Sequence, residues 1–217
     1  MSGSGAGSPE KGLSMHSQAT SRLVAEHMPG LGQHVHRYDP AFLIVACERS
    51  FAVPAEQAWK ALTDDSAAPQ WIGPRSTNNN TGRVDILLTQ ENPSPWLTFT
   101  IKDVQPGRSI TLALDTAKGE RVSPHHITFT LDSDPRDVVP GCTITVMQSY
   151  TCAQTLEQRG PLWEFYLDRL ACVIEGGDAS QVRLHPYYLP GLVPHYRSIL
   201  RQAIRNGGDR IKNRDLP

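Results

Sequence analysis

Apolar residues recur at intervals of three and four along GPLWEFYLDRLACVIEGG, residues 160–177. The members of this stripe are Trp163, Tyr166, Leu167, Leu170 and Ile174. Such spacing is typical of a helix with one apolar face. Gly-Pro at the start and Gly-Gly at the end are the residues favoured at helix termini. We therefore predict a long helix near residues 161–175 that leaves Glu164, Asp168 and Glu175 facing water.

The segment before this helix has a different pattern, in which apolar and polar residues alternate in short segments separated by turn residues. The predicted strands are Phe42–Phe51, Arg83–Gln90, Trp96–Val104, Ser109–Leu114, His125–Leu131 and Thr143–Thr151. Alternation with one apolar face indicates an antiparallel sheet that is covered on one side. No helical pattern separates the last five strands, which excludes parallel crossovers between them.

Two short helical patterns, PAEQAWKALTDD and DSAAPQWIGP, follow the first predicted strand. Pro54 suits the first turn of a helix, and the apolar residues after it fall on one face. The fold class predicted is therefore α+β. A curved, six-stranded antiparallel sheet wraps around the long C-terminal helix, and two short helices follow strand one.

Several of these segments also carry a family resemblance. ERSFAVPAEQAWKALTDDSAAPQWIGP resembles the opening of the SRPBCC (START-like, birch-pollen-allergen-like) superfamily. Within that superfamily it is most similar to the branch named after the activator of heat-shock-protein-ninety ATPase. In that branch it resembles the C-terminal domain of the activator. DVQPGRSITLAL resembles the strand-turn-strand of the family, and GCTITVMQSYTC resembles its last strand. The resemblance covers residues 41–177 and implies a helix-grip fold that encloses a cavity between sheet and helix.

The ends of the chain differ from this central domain. Residues 1–38 are Gly/Ser-rich at their start and are predicted to be a flexible N-terminal segment, followed by the helix-grip domain at 39–178. Residues 179–217 form a basic C-terminal extension, which has seven basic and two acidic residues after position 180. Within it, Pro194–Asn206 is predicted to form one amphipathic helix.

A helix of this length is marginal alone in water, so we expect it to dock on a surface. We predict that it docks on its own acidic domain. A homodimer through the same extension is the alternative. The apolar stripe is short and the basic cluster sparse, which argues against membrane and nucleic-acid partners.

Composition adds few constraints. The net charge of −1 gives no general attraction to nucleic acid, and neither a signal-peptide pattern nor a long apolar run is present. The four cysteines have no metal-binding or redox spacing, which favours a cytoplasmic protein in which they are small buried apolar residues. No cofactor or metal is predicted, because the usual phosphate-binding, nucleophile and metal motifs are absent from the sequence.

The inward faces of the predicted sheet and helix supply the candidate cavity residues. They are Phe99, Ile101, His125, Ile127, Phe129, Gln148, Tyr150, Trp163, Tyr166, Leu167 and Leu170. His125, Gln148 and Tyr150 are the polar side chains on the strands. Each of them has two interpretations, contact with a ligand or structural pairing inside the protein.

The function predicted from these features is binding of a small apolar molecule in the cavity, without obvious catalytic machinery. The first alternative is an enzyme of the polyketide cyclase or aromatase type, which the superfamily also contains. That chemistry needs a general base, and no inward carboxylate is evident on the strands. The second alternative is a co-chaperone, a protein-interaction domain. In the activator of heat-shock-protein-ninety ATPase, this kind of domain works attached to a second, N-terminal domain. Residues 1–38 are too few to form such a domain, which argues against the co-chaperone alternative.

Overall fold

The computed structural model of this protein describes residues 21–24, 43–115, 126–133, 141–150 and 153–201. Most of the predicted flexible segment lies outside the described residues. So do His125 and the end of the predicted C-terminal helix.

The described chain forms one sheet of eight strands, and all neighbouring strands in it are antiparallel. The strands are β1 (Ser21–Val24), β2 (Leu43–Phe51), β3 (Arg75–Asn78), β4 (Arg83–Leu87), β5 (Trp96–Gln105), β6 (Ser109–Leu114), β7 (His126–Asp132) and β8 (Cys142–Tyr150). Their spatial order is β1-β2-β8-β7-β6-β5-β4-β3. Strands β3 to β8 follow one another as a meander, in which each strand pairs with the next one in sequence. Strand β2 then pairs with the last strand, β8, from which it is distant in sequence.

The helices lie where the α+β prediction requires them. They are α1 (Ala55–Thr63), α2 (Ala68–Trp71), α3 (Ala153–Ile174), the short 3₁₀ helix Ala179–Gln181, and α4, which is described over residues 193–201. Helix α3 packs mainly against β2, with α1 and α2 beside it. The helix-grip architecture predicted from the sequence, with two short helices after the first long strand, is therefore confirmed.

The number of strands differs from the prediction of six. The two extra strands, β1 and β3, are short edge strands. Strand β3 lies in a polar stretch without apolar alternation, and polar contacts hold it in place. Arg75 Nε and the backbone N–H of Thr77 donate to the carboxylate of Asp65, at 2.6 and 2.8 Å. A period-two apolar pattern cannot reveal a strand that is fixed in this way.

Helix α3 begins at Ala153, about two turns before the predicted start. Pro161 therefore lies inside the helix, where it leaves the carbonyl of Glu157 without its intrahelical N–H donor. Gly160 has a packing role rather than a capping role. A Cβ atom at this position would lie only 2.1 Å from the Tyr196 ring. The Gly-Pro pair thus allows close contact with α4 and does not mark a helix end.

The prediction that Glu164 and Asp168 face water is wrong. Glu164 is buried and Asp168 is half-buried, and both are ion-paired with Arg49 of β2. These carboxylates are shielded from water because the C-terminal extension covers the outer side of α3, where Tyr196 contacts Glu164 and Tyr188 contacts Asp168.

The extension docks on its own domain, as predicted. Tyr188, Tyr196 and Leu200 are buried, and the Tyr196 hydroxyl donates to Glu164 Oε1 at 2.6 Å. Arg197 of α4 forms an ion pair with Glu157 of α3 at 3.0 Å. The apolar face of α4 is therefore used within the chain, and a homodimer through the extension stays a prediction.

Two further findings concern the described residues alone. None of their helices has the length and apolar character needed to span a bilayer. The described cysteines, Cys47, Cys142 and Cys172, are free thiols, and burial raises the pKa of each. Cys47 and Cys142 are buried, as the sequence predicts, whereas Cys172 is only half-buried.

Candidate ligand-binding cavity

A cavity of about 530 Å³ lies between the inner face of the sheet and helices α1, α2 and α3. Its wall is mostly aliphatic and aromatic. The aromatic residues that line it are Trp59, Trp71, Phe99, Phe129, Trp163 and Tyr166. Three of the four tryptophans of the chain are among them, so large aromatic side chains are concentrated at this site.

The floor of the cavity follows from strand alternation and register. Ile101 of β5 pairs with Leu112 of β6, Leu112 pairs with Ile127 of β7, and Ile127 pairs with Gln148 of β8. Directly paired residues point to the same face of a sheet, so these four side chains form a row across four strands. All four line the cavity. The row is apolar until its last member, Gln148.

Gln148 is paired with the roof of the cavity. Trp163 of α3 donates its indole N–H to Gln148 Oε1, with an N···O distance of 2.6 Å. The Trp163 ring also packs edge-to-face against Phe129, with 5.6 Å between ring centroids. These contacts fix the helix over the sheet. Structural pairing, one of the two interpretations given for Gln148, therefore accounts for this oxygen.

A charged cluster lies in one part of the wall. Arg159 Nη1 lies 3.0 Å from both carboxylate oxygens of Glu91, and the Tyr166 hydroxyl donates to Glu91 Oε1 at 3.3 Å. Burial, followed by the negative charge of Glu91, raises the pKa of Tyr166, so its phenol stays protonated. Thr155, in the first turn of α3, also lines the cavity and is exposed. The cavity thus reaches solvent beside the start of α3.

Arg75 is a second lining cation, but it is committed to the framework. Its Nε donates to Asp65 and its Nη1 to the Leu62 carbonyl at 2.9 Å, while its Nη2 donates to the Thr63 carbonyl. Each of its three nitrogens has an acceptor within the protein. Arg75 therefore ties the end of α1 to β3 and leaves no nitrogen unused for a ligand.

Helix α2 places Trp71 in the wall, and a buried arginine holds α2. Arg169 donates to the carbonyls of Gln70, Trp71 and Ala179 at 2.7–2.9 Å. Burial lowers the pKa of Arg169, which has only carbonyl acceptors for its charge in this network. The indole N–H of Trp71 has no hydrogen-bond partner among the described residues.

The structure brings most of the predicted cavity residues together. Those that line the cavity are Phe99, Ile101, Ile127, Phe129, Gln148, Trp163 and Tyr166. Leu167 and Leu170 are fully buried in the core and are not among the lining residues. The lining residues of α3 all lie between positions 155 and 166, so the cavity extends under the first part of the helix only. Under the second part the interior is filled.

The placement of two predicted polar residues, His125 and Tyr150, in the cavity wall stays a prediction. His125 lies outside the described residues, and for Tyr150 only the backbone position at the end of β8 is described. No group of three or more His, Cys, Asp or Glu side chains in the described ranges is arranged to hold a metal ion.

Sequence reasoning missed the charged cluster for two reasons. Glu91 lies in the turn after β4 and not on a strand, so alternation says nothing about its direction. Arg159 and Thr155 precede the Gly-Pro pair that predicts the helix start. Extending the helical spacing backward from Tyr166, through Leu162 to Arg159 and Thr155, would have placed both on the cavity face.

An antiparallel sheet that holds one long helix over an internal cavity defines this chain as a helix-grip protein. Solved structures share the fold. CalU16 from Micromonospora echinospora matches with a TM-score of 0.61 at 16% identity in its solution structure, over 90% of this chain and 100% of that one. Its crystal structure matches with a TM-score of 0.58 at 15% identity, over 87% and 98% of the two chains.

Two further structures show the same likeness over a shorter part of this chain. DynU16, from the dynemicin biosynthetic locus, matches with a TM-score of 0.52 at 20% identity, over 63% of this chain and 49% of that one. MLL2253 from Mesorhizobium loti matches with a TM-score of 0.51 at 20% identity, over 62% and 98%. No protein-family model matches the sequence, and no curated protein matches it. The helix-grip fold that the sequence resemblance implies is thus confirmed.

Proposed function

We propose that this protein binds a small, largely apolar molecule in the cavity between the sheet and α3. The observation that carries the proposal is the cavity itself. Its volume of about 530 Å³ falls within the range of ligand pockets, roughly 300–1,000 Å³. Protein interiors are otherwise close-packed, with few voids larger than a water molecule.

The composition of the wall supports an apolar ligand. Side chains such as Ile101, Leu112 and Phe129 border empty space on one side and have no dispersion partner there. A ligand that fills the space supplies these partners and removes apolar surface from water. The few polar groups of the wall then orient the ligand rather than hold most of its surface.

One observation favours a second candidate, an enzyme of the cyclase type. The carboxylate of Glu91 lines the cavity and accepts a hydrogen bond from Tyr166, so a carboxylate and a phenol face the same space. A general base and a proton donor are the groups that such chemistry needs. DynU16, which shares the fold, is a protein of a biosynthetic locus. Binding without chemistry remains our proposal, because Glu91 is already held by Arg159.

The proposal is tested with N-phenylnaphthylamine, a neutral apolar dye whose fluorescence rises in apolar surroundings. Ile101→Trp places an indole into the cavity, whereas Lys102→Trp adds the same side chain at the next position, which is exposed. We expect saturable binding that weakens by more than about tenfold, or 1.4 kcal/mol, in Ile101→Trp and is unchanged in Lys102→Trp. Equal binding by the two variants would contradict the proposal. Circular dichroism checks that both are folded.

Any molecule extracted from the purified protein separates the two candidates. A binder returns it chemically unchanged after incubation, as followed by mass spectrometry. A cyclase converts it, and Glu91→Gln then abolishes conversion without weakening binding.

A further inference from the structure

Arg159 differs from the other charged residues of the cavity wall in having unused hydrogen-bond donors. The charged lining residues are Arg75, Glu91 and Arg159. Arg159 uses only Nη1, which contacts Glu91, and its Nε and Nη2 make no hydrogen bond to any described residue. An arginine presents donors in a rigid fork that matches a carboxylate or sulfonate. One edge of that fork is available here.

The position of Arg159 suits the polar end of a ligand. Its side chain is 38% exposed, so it stands where the cavity meets solvent. Thr155, one helical turn earlier, adds a hydroxyl, and the N-terminus of α3 carries the positive end of the helix dipole. An anion at this position would keep part of its hydration while the apolar body enters the cavity.

Glu91 does not offer an equivalent site for a cationic ligand. Its Oε1 accepts from both Arg159 and Tyr166, and its Oε2 accepts from Arg159. A ligand ammonium would find one acceptor site left, on Oε2 beside the guanidinium charge, whereas an oxyanion can use both donors of the Nε–Nη2 edge with the ion pair intact. The wall therefore favours an anion over a cation.

We propose that the ligand is amphipathic, with an apolar body in the cavity and an oxyanion head group, a carboxylate or sulfonate, bound by the Nε–Nη2 edge of Arg159. This inference rests on the proposed function, since it assigns the chemical class of the molecule that fills the same cavity. Glu91 acts as a positioning residue that holds Arg159 through Nη1.

Two dyes with the same ring system test the assignment. Anilinonaphthalene sulfonate carries the oxyanion, and N-phenylnaphthylamine lacks it. We expect Arg159→Gln to weaken binding of the sulfonate dye by about tenfold, or 1.4 kcal/mol, and to change binding of the neutral dye by less than about twofold. Arg159→Lys keeps the charge without the fork and should fall between wild type and Arg159→Gln. Arg183→Gln removes an exposed arginine elsewhere and should change neither affinity.

Glu91→Gln should act in the opposite direction. It removes the competing negative charge and keeps one acceptor oxygen beside Arg159, so the sulfonate dye should bind several-fold more tightly. Raising the ionic strength should reduce both effects, because charge interactions near the surface are screened.

The outcomes separate this inference from the proposed function. If the neutral dye binds in the cavity and Arg159→Gln leaves the sulfonate dye unaffected, the anion site is overturned and the apolar binder stands. If Arg159→Gln weakens both dyes equally, Arg159 is structural and the anion site is again overturned. If neither dye is affected by Ile101→Trp, the proposed function fails and this inference fails with it.

Discussion

The two sides of α3 face different surroundings, an apolar cavity on one side and a polar network on the other. On one side, residues such as Trp163 and Tyr166 border an apolar cavity that is not filled by the protein. On the other side, Glu164 and Asp168 are enclosed by β2 and by the C-terminal extension in a filled, polar interior. The same helix thus separates an apolar cavity from a polar network that fixes the fold.

The polar side is a connected network. Arg49 pairs with Glu164, and its Nε donates to Asp168 at 2.7 Å. The hydroxyl groups of the extension complete it, because Tyr196 donates to Glu164 at 2.6 Å and Tyr188 to Asp168 at 2.5 Å. Burial by itself lowers the pKa of Arg49, but the hydrogen bond to Asp168 and the two carboxylate charges raise it overall. The guanidinium therefore stays charged.

This difference shows where the stability of the protein should reside. A cavity wall lacks contacts on one side, so its residues contribute less than residues packed all round. The network needs every partner, since a buried charge left alone is expensive. Substitutions on the polar side should therefore destabilise the fold more than matched substitutions on the cavity side.

The largest effect is expected from removal of the extension. Deleting residues 181–217 uncovers Glu164 and removes the buried Tyr188, Tyr196 and Leu200. At about 1.5–3 kcal/mol for each of these three buried side chains, the free energy of unfolding should fall by roughly 4.5–9 kcal/mol. Calorimetry should show a clearly lower melting temperature. A chain ending at Arg201 keeps every contact described above and is the control. Equal melting of the two truncated chains would show that the extension contributes nothing.

The next effect tests the network at its centre. Arg49→Met leaves two carboxylates without their cation, and we expect a loss of about 3–5 kcal/mol in urea unfolding. Arg83→Met is the matched control, because Arg83 also lies on a strand and pairs with an aspartate, at 3.4 Å, but is 60% exposed. Its loss should stay below about 1 kcal/mol. Similar losses in the two variants would mean that burial does not determine how much these ion pairs contribute to the free energy of unfolding.

The sequence predicted the fold from features that repeat. Alternation along β5 and β7 and the three–four spacing of α3 follow directly from strand and helix geometry, so the antiparallel sheet and the long helix could be predicted. The same alternation predicted Ile101, Ile127 and Gln148 of the cavity floor, but not Leu112.

Contacts between segments that are distant in sequence could not be predicted in this way. Glu164 has the helical position of a water-facing residue, yet it is buried and contacts Arg49 and Tyr196 of the extension. Gly160 and Pro161 resemble a helix start, and only the Tyr196 ring explains the glycine. Glu91 enters the site from a turn. Local periodicity carries no information about these partners, which are brought together by tertiary packing alone.

A leucine pair compares the core under the second part of α3 with the cavity under its first part. Leu170 is fully buried in that core, whereas Leu112 lines the cavity. Leu170→Ala creates a new void and should lower the free energy of unfolding by about 2–5 kcal/mol. Leu112→Ala only enlarges an existing space, so we expect a loss about 1–2 kcal/mol smaller. Urea unfolding of both variants measures the difference, and a larger loss for Leu112→Ala would reverse the assignment of the two regions.

The smallest effect concerns single hydroxyl groups. Tyr196→Phe removes a buried donor that lies 2.6 Å from Glu164, and a hydrogen bond to a charged acceptor contributes about 1.5–3 kcal/mol. Tyr166→Phe removes a donor at 3.3 Å from Glu91, which keeps Arg159 as its partner, so the loss should be below about 1 kcal/mol. Both changes preserve the ring, which isolates the hydroxyl contribution in urea unfolding. If Tyr166→Phe were the more destabilising of the two, the cavity side would share the structural role of the network. The Glu91 cluster would then have to be regarded as part of the framework.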